Sequence, residues 1–338
     1  MRDAMPLAPV NGLSLYYEVA GRGSPLVLVH GFACGLRIWD PQVRAFAGRH
    51  RVLTYDVRGH GLSDAPADAA AYSQPISVAD LRGLLAHRGI RRAVVGGLSM
   101  GGNIALSFAL TYPAMVRALV IADTGAGSDG TAEWNAAVHA LARILDRDGI
   151  EAFADAALAN PLFARYAARG PEATRFIRSC LATHRARGLA HTAREVLARR
   201  PTIYSLEAAL RRLRVPTLLI VGEHDEPCVK VHRFLAETIP DARHLLLRGV
   251  GHLTNLEAPA AFNAAVRRFL RSEAPRASRP LTTAQLRGSA SRSREARRAA
   301  ESETARSASA SRRREARRAA ESETARSASA SRSRRSSS

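Results

Sequence analysis

The chain has little lysine, few cysteines and no long hydrophobic run. Lys230 is the single lysine among 50 basic residues, so the net charge of +20 comes almost entirely from arginine. The three cysteines, Cys34, Cys180 and Cys228, are widely spaced and odd in number, which excludes a small disulfide-stapled scaffold. No run approaches the roughly 18 apolar residues of a membrane span, and the N-terminus lacks the apolar core of a secretory signal. These absences predict a cytoplasmic protein with no membrane partner.

The positive charge is concentrated at one end of the chain. From Arg271 onward there are 18 arginines and 7 glutamates, and a 20-residue unit at 291–310 recurs at 311–330 with a single difference. Alanine is almost the only apolar residue of this C-terminal stretch. Alanine side chains bury too little surface to offset the entropy lost when the chain becomes ordered. We predict a disordered basic tail over residues 273–338. Such a tail could bind nucleic acid through counterion release or be a dispensable repeat expansion; we expect no other nucleic-acid partner.

The rest of the chain predicts an α/β fold with a helical insertion. Hydrophobic residues face both sides of several short runs, a pattern typical of parallel strands covered by helices on both faces. Amphipathic helical patterns without strand signals then occupy residues 128–212, before the alternation resumes. We predict a core formed by residues 1–127 and 213–272, with a helical cap at 128–212. The first four predicted strands are 26–29, 51–55, 93–95 and 118–122.

A serine stands between glycines where the third of these strands gives way to a helix. Gly97, Ser99 and Gly101 form the pattern G-x-S-x-G, in the strand-to-helix context that a nucleophile elbow requires. So sharp a turn needs glycine beside it and presents the serine Oγ at a helix N-terminus, where N–H groups favour a developing anion. An ordinary turn would also fit this motif alone, so the interpretation depends on partners that activate the hydroxyl.

A base and an orienting acid can be selected from the second half of the chain. His252 is the best placed of 11 histidines, because GVGHLTNLEAP follows the last predicted strand and precedes the last helix. Asp225, in GEHDEPC, follows the preceding strand and is our candidate acid. Asp123, at the end of the strand ALVIAD, is the alternative. If the three side chains are in contact, the histidine can take the proton of the serine hydroxyl, and the carboxylate can orient the histidine and stabilise its charged form.

Four motifs in this order resemble the α/β-hydrolase superfamily over residues 12–270. They are VHGF (29–32), DVRGHGLSD (56–64), GLSMG (97–101) and GVGHLTNLEAP (249–259). The resemblance implies an α/β-hydrolase fold with a mostly parallel sheet. It also implies Ser99 as nucleophile, His252 as general base and Asp225 as orienting acid, with the backbone N–H groups of Phe32 and Met100 as the oxyanion hole. The chain departs from the family pattern at Pro227, which stands two residues after Asp225 instead of four.

The chemistry implied is hydrolysis of a small carboxylic ester or lactone through an acyl-enzyme. GLSMGG and GLRIWDPQV also resemble 3-oxoadipate enol-lactonases, although VHGF lacks the serine expected in their oxyanion loop. Carbon–carbon bond hydrolases and perhydrolases share the triad, and a non-enzymatic ligand receptor on the same scaffold is a further alternative. The sequence makes no prediction of oligomeric state.

Several other residues invite functional interpretations that simpler ones outweigh. No motif implies a cofactor. We expect no metal site at His224, Cys228 and His232, because Pro227 should break the first turn of their helix. His30 and His60 are expected to brace loops through their rings and not to shuttle protons. Arginines in the cap segments THRARG and LARRP should be solvated surface charge, unless one faces Ser99, in which case an anionic substrate becomes plausible.

Overall fold

Eight strands form one mixed sheet in the computed structural model, which describes residues 6–127 and 132–273. The basic tail predicted over residues 273–338 lies, apart from Glu273, outside these residues. In spatial order the strands run β1-β2-β4-β3-β5-β6-β7-β8. The pairs β1–β2 and β2–β4 are antiparallel, and all other neighbours are parallel. The strands are β1 (Leu7–Val10), β2 (Leu13–Ala20), β3 (Ser24–Val29), β4 (His50–Tyr55), β5 (Ala93–Leu98), β6 (Val116–Ala122), β7 (Thr217–Gly222) and β8 (Ala242–Leu247).

Helices connect the parallel strands and account for most of the remaining described residues. Helices α1 and α12 pack against each other and against the sheet, whereas α2 packs against α3. The helices are α1 (Asp40–Phe46), α2 (Gln74–His87), α3 (Met100–Thr111), α4 (Ala132–Arg147), α5 (Gly149–Ala159), α6 (Pro161–Ala167), α7 (Pro171–Ala182), α8 (Ala186–His191), α9 (Glu207–Leu210), α10 (Glu226–Thr238), α11 (Thr254–Glu257) and α12 (Pro259–Ser272). Short 3-10 turns cover Leu36–Trp39, Ala69–Ala71, Pro113–Met115 and Tyr204–Leu206, and a π-helical turn covers Thr192–Leu197.

Apolar residues on both faces make the centre of the sheet the core of the molecule. Every residue of β5 and β7 is buried, so helices must cover both sides, as parallel strands require. Helix α12 shows the complementary pattern, because Phe262, Val266 and Phe269 recur at helical spacing on its buried side, while Arg267 and Arg268 are exposed. The predicted α/β-hydrolase fold is confirmed. None of the helices that the structure describes is long and apolar enough to cross a membrane.

The two N-terminal strands are absent from the set predicted from sequence. β2 pairs antiparallel with β4, from Tyr17 opposite Tyr55 to Ala20 opposite Val52. Its sequence LSLYYEVA alternates only in part, because Tyr16 and Tyr17 are both buried. The sheet is therefore mixed at this edge, and the parallel strands that carry the predicted motifs occupy its centre and far side.

Helices and helical turns make up most of the described part of the segment between β6 and β7. Helix α4 packs against α5 and α8, and α5, α6 and α7 pack against one another. Several contacts tie this segment to the sheet domain; among them, the Gly61 N–H donates to His184 Nδ1 at 2.7 Å, and the Arg165 guanidinium donates to the Gly249 carbonyl at 2.8 Å. The segment therefore lies over the loops that follow the parallel strands.

Candidate active site

Ser99 occupies a strained turn between β5 and α3. Its backbone has φ 54° and ψ −116°, a region that residues other than glycine rarely adopt. Its N–H donates to the Ala122 carbonyl of the neighbouring strand at 2.8 Å. Because Met100 is the first residue of α3, Ser99 stands at the helix N-terminus with its side chain partly exposed. This is the geometry of a nucleophile elbow.

The glycines beside Ser99 are required by close backbone contacts. A Cβ at Gly97 would lie 2.1 Å from the Gly101 carbonyl oxygen, and one at Gly101 would lie 2.1 Å from the Val29 carbonyl oxygen. A Cβ at Gly102 would lie 1.9 Å from Thr124 Oγ1. Strand β5 therefore approaches α3, and α3 approaches the end of β3, more closely than any side chain allows.

His252 and Asp225 lie in the loops after the last two strands and are hydrogen-bonded to each other. His252 Nδ1 and Asp225 Oδ2 are 2.7 Å apart, and both residues are buried. Asp225 immediately precedes α10 in the loop after β7, and His252 lies between β8 and α11. With Nδ1 donating to the carboxylate, His252 Nε2 is the nitrogen left to accept a proton.

The electrostatics of this pair favour an ionised acid and a basic imidazole. Burial alone would lower the pKa of His252, but the Asp225 carboxylate, with smaller contributions from Asp123 and Glu257, raises it above its ordinary value. Burial likewise opposes ionisation of Asp225, yet the charge and hydrogen bond of His252 hold the pKa of Asp225 below its ordinary value. Each residue thus stabilises the charged form of the other.

The alternative acid, Asp123, is committed to different partners. Its Oδ1 accepts the Gly222 N–H at 3.0 Å, and its Oδ2 accepts the N–H and hydroxyl of Thr254. Asp123 is fully buried, and burial raises its pKa well above the ordinary carboxyl value. Among the described residues the carboxylate that hydrogen-bonds His252 is therefore that of Asp225, and Asp123 joins β6 to the ends of β7 and the His252 loop.

The two expected oxyanion donors belong to Met100, which follows Ser99 in the chain, and to Phe32, whose neighbour Gly31 contacts Ser99. Met100 is the first residue of α3, so its N–H has no acceptor within the helix. Phe32 follows Gly31, which is packed on Ser99: a Cβ at Gly31 would lie 3.3 Å from Ser99 Cβ. The Phe32 ring meets the rings of His60 and Phe153 edge-on, with centroids 6.0 and 6.2 Å away.

Ser99, His252 and Phe32 line one cavity of about 140 Å³. Its remaining wall is mostly apolar and comes largely from the helical segment between β6 and β7. The residues that this segment contributes include Trp134, Val138, Leu141, Phe153, Phe163 and Arg200. Such a cavity accommodates a small, largely apolar group beside the serine.

Comparisons with known proteins identify the family. The sequence matches the alpha/beta hydrolase fold family over residues 24–259. The chain belongs to the α/β-hydrolase fold family. It is 30% identical to a Bacillus subtilis (strain 168) protein named as a 2-succinyl-6-hydroxy-2,4-cyclohexadiene-1-carboxylate synthase, over 76% of this chain and 95% of that protein. Among solved structures it resembles an enol-lactonase from Burkholderia xenovorans LB400, with a TM-score of 0.70, 32% identity and coverage of 79% and 100%. A thermophilic esterase from Thermogutta terrifontis with malate bound gives a TM-score of 0.70, 28% identity and coverage of 79% and 98%.

In this α/β-hydrolase, buried histidines hold the loop that carries Phe32. His30 donates from Nδ1 to the Gly31 carbonyl at 2.8 Å and accepts the Val57 N–H at Nε2 at 2.9 Å. His60 accepts the Ala33 N–H at 3.4 Å. Burial lowers the pKa of each ring to about 3, so both are neutral at neutral pH. These contacts are those of loop-bracing residues.

Glu257 is a positioning residue that the sequence motif contained without revealing its role. Its carboxylate accepts the N–H groups of Gly251 at 2.9 Å and Leu253 at 3.2 Å, the residues on either side of His252. The Arg165 guanidinium lies 3.6 Å from the same carboxylate. The hydrolase therefore fixes the His252 loop from both flanks, which limits the freedom of the imidazole. The glutamate five residues after the histidine was the available signal.

The arrangement around α10 differs from the expectation in one respect. Pro227 occupies the first turn of α10 without breaking it, because a proline there loses no helical hydrogen bond. His232 is fully buried and accepts the Thr124 N–H at 3.0 Å, whereas His224 is exposed. The three potential metal ligands that do lie together in the described part of the hydrolase are Asp225, Cys228 and His252, two of which are the hydrogen-bonded pair described above.

Proposed function

We propose that this α/β-hydrolase is a serine hydrolase that cleaves a small carboxylic ester or lactone, with Ser99 as nucleophile, His252 as general base and Asp225 as orienting acid. The observation that carries the proposal is the 2.7 Å contact between His252 and Asp225 beside the cavity that Ser99 also lines. A serine hydroxyl becomes a useful nucleophile only when an oriented base accepts its proton.

The first half of the reaction acylates the enzyme. Ser99 Oγ attacks the carbonyl carbon of the substrate while its proton passes to His252 Nε2, and the Asp225 carboxylate stabilises the imidazolium. The carbonyl oxygen becomes an oxyanion that accepts the N–H groups of Phe32 and Met100. Each such donor is typically worth about 3 to 4 kcal/mol in the transition state. The intermediate collapses when the alkoxide or enolate leaves with the proton from His252.

The second half releases the acid. His252 removes a proton from water as the water oxygen attacks the acyl carbon, and a second oxyanion forms at the same two N–H groups. This intermediate collapses with Ser99 Oγ as leaving group, which recovers its proton from His252. For a lactone both products are parts of one hydroxy acid, or of one keto acid when the leaving group is an enolate.

We interpret helices α4 to α9 as a cap that selects the substrate. The cap residues Trp134, Val138 and Phe153 form the apolar wall of the cavity, so the size and polarity of the acyl group that fits depend on them. By covering the loops after the parallel strands, the cap would also keep bulk water from the acyl-enzyme until the leaving group departs.

The relatives support ester and lactone chemistry in particular. One similar structure is named an enol-lactonase and another an esterase, and both names describe the acyl transfer proposed here. Hydrolysis of a carbon–carbon bond or perhydrolysis would use the same three residues with a different acceptor or leaving group. Those reactions become the alternatives if simple esters and lactones are not hydrolysed.

The test is release of p-nitrophenol from acetate, butyrate and octanoate esters at pH 7.5 by the full chain. Ser99→Ala should abolish turnover, whereas Ser179→Ala, an exposed serine of α7, should retain it. A burst of p-nitrophenol equal to the enzyme concentration would report the acyl-enzyme. Turnover that survives Ser99→Ala would refute the proposed nucleophile.

A further inference from the structure

Arg200 is a buried arginine in the wall of the cavity that contains Ser99. It follows the π-helical turn Thr192–Leu197, and 6% of its surface is exposed. Its side-chain Nε and Nη1 atoms are buried and have no hydrogen-bond acceptor among the described residues. Burial lowers the pKa of Arg200 to about 10, so the guanidinium is still charged at pH 7.5. A buried cation without an acceptor is costly, so its retention calls for a ligand or partner.

No carboxylate among the described residues neutralises the charge of Arg200. Within residues 6–127 and 132–273, no aspartate or glutamate oxygen forms an ion pair with Arg200. The titratable side chain that interacts electrostatically with Arg200 is the thiol of Cys228. Burial raises the pKa of this thiol well above its ordinary value, so the thiol is neutral and provides no counterion. Arg58 provides the contrast. It also has 6% of its surface exposed, but its guanidinium makes two hydrogen bonds to Asp80, of 2.8 and 2.7 Å.

The position of Arg200 in the cavity indicates which kind of ligand could pair with its guanidinium. Ser99, His252 and Arg200 line the same space, and the cavity-lining residues that the structure describes include no acidic side chain. The other side chains around this space are mostly apolar. An anion in the cavity would therefore find one full positive charge, in surroundings where water competes weakly for the hydrogen bonds.

We propose that Arg200 binds a carboxylate carried by the substrate, so that the preferred substrate is a small ester or lactone with a free carboxylate on its acyl chain. This inference rests on the proposed serine hydrolase function. The planar guanidinium can engage both carboxylate oxygens, and that contact fixes the far end of the acyl chain while Ser99 attacks the near end. A neutral acyl chain of the same length would leave the guanidinium unpaired and bind less well.

Matched methyl esters test the proposal by titration of released acid at pH 7.5. Monomethyl succinate and methyl butyrate have acyl chains of equal length, and only the first ends in a carboxylate. Wild type should have a kcat/KM at least about 10-fold higher for monomethyl succinate than for methyl butyrate. Arg200→Gln should lower kcat/KM for monomethyl succinate by about 10- to 100-fold. Arg200→Gln should change kcat/KM for methyl butyrate by less than about 3-fold, since a neutral chain gains little from the charge.

Two further variants separate charge from general damage. Arg200→Lys should retain part of the preference, because it keeps the charge and loses the planar fork. Arg199→Gln is the matched control: Arg199 is exposed and pairs with Glu195 at 3.0 Å, and its loss should leave the preference unchanged. If Arg200 instead pairs with Asp129, which stands outside the described residues, Arg200→Gln would lower the rates for both esters equally. That result, or a wild type without preference, would overturn the proposal.

Binding to the Ser99→Ala variant distinguishes failure of this inference from failure of the proposed function. Calorimetric titration with monomethyl succinate should give binding that Arg200→Gln weakens about 10- to 100-fold in the Ser99→Ala background. Arg200-dependent binding without turnover by wild type would support the anion site and reject the hydrolase function for these esters. Ser99-dependent turnover with binding indifferent to Arg200 would reject the anion site alone.

Discussion

Replacing Asp225 and Asp123 separately by asparagine distinguishes the two acidic residues near His252. Asp225 accepts the His252 Nδ1–H at 2.7 Å. An asparagine there can instead donate its amide hydrogen to Nδ1, which leaves the proton on Nε2 and removes the acceptor that the Ser99 hydroxyl needs. Asp123 has no such contact and holds Gly222 and Thr254 through its two oxygens.

The expected magnitudes follow from these contacts. Asp225→Asn should lower kcat by about 10³- to 10⁴-fold, or ~4 to 5.5 kcal/mol of transition-state stabilisation. Asp123→Asn must place its amide nitrogen against one of two backbone N–H groups, since each carboxylate oxygen accepts one. An unsatisfied buried donor costs about 1 to 3 kcal/mol, so this variant should unfold at a temperature several degrees lower and keep kcat within about 10-fold of wild type.

The assay is ester hydrolysis at saturating substrate together with thermal unfolding of the same preparations. We expect Asp225→Asn to lose kcat with a nearly unchanged unfolding temperature. Asp123→Asn should lose stability and keep kcat within about 10-fold of wild type. A large fall in kcat for Asp123→Asn, with Asp225→Asn active, would show that the hydrogen bond to His252 does not define the catalytic acid.

Three other expectations follow from the same geometry. In urea titrations, Gly101→Ala should cost ~3 kcal/mol or more of folding free energy, because its Cβ would lie 2.1 Å from the Val29 carbonyl oxygen; Gly48→Ala, with no atom within 4 Å of its Cβ, should be neutral in the same measurement. Since the Asp225 carboxylate raises the pKa of His252 above its ordinary value of 6.5 and only the neutral ring acts as base, kcat/KM should rise with pH through a midpoint above 6.5; a midpoint at lower pH would contradict the paired geometry. Glu257→Gln should lower kcat about 10-fold, because its amide faces one of the two N–H groups that flank His252, and an unchanged kcat would show that the loop holds its shape without this carboxylate.

The chemistry-bearing motifs could be predicted because they are local. The glycines around Ser99 are dictated by a turn in which β5 and α3 nearly touch, and parallel strands bring their C-terminal ends together whatever the connecting segments are. Asp225 and His252 each follow such a strand, so their meeting needs only the sheet order. β2 could not be inferred in the same way, since its place depends on antiparallel pairing with β4 and its own alternation is incomplete.

The specificity of the cavity is harder to predict, as Arg200 illustrates. The buried residues Ala193, Val196 and Leu197 form a stripe whose helical spacing continues at position 200, where an arginine stands instead of an apolar residue. Arg199, one residue away, is exposed and pairs with Glu195. The periodicity could therefore have singled out one of 49 arginines as buried. It could not have shown that no described carboxylate neutralises Arg200, because ion pairs such as Arg58 with Asp80 join residues that are distant in sequence. An arginine on an apolar stripe indicates a buried charge, and only the surrounding structure decides whether its counterion belongs to the protein or to the substrate.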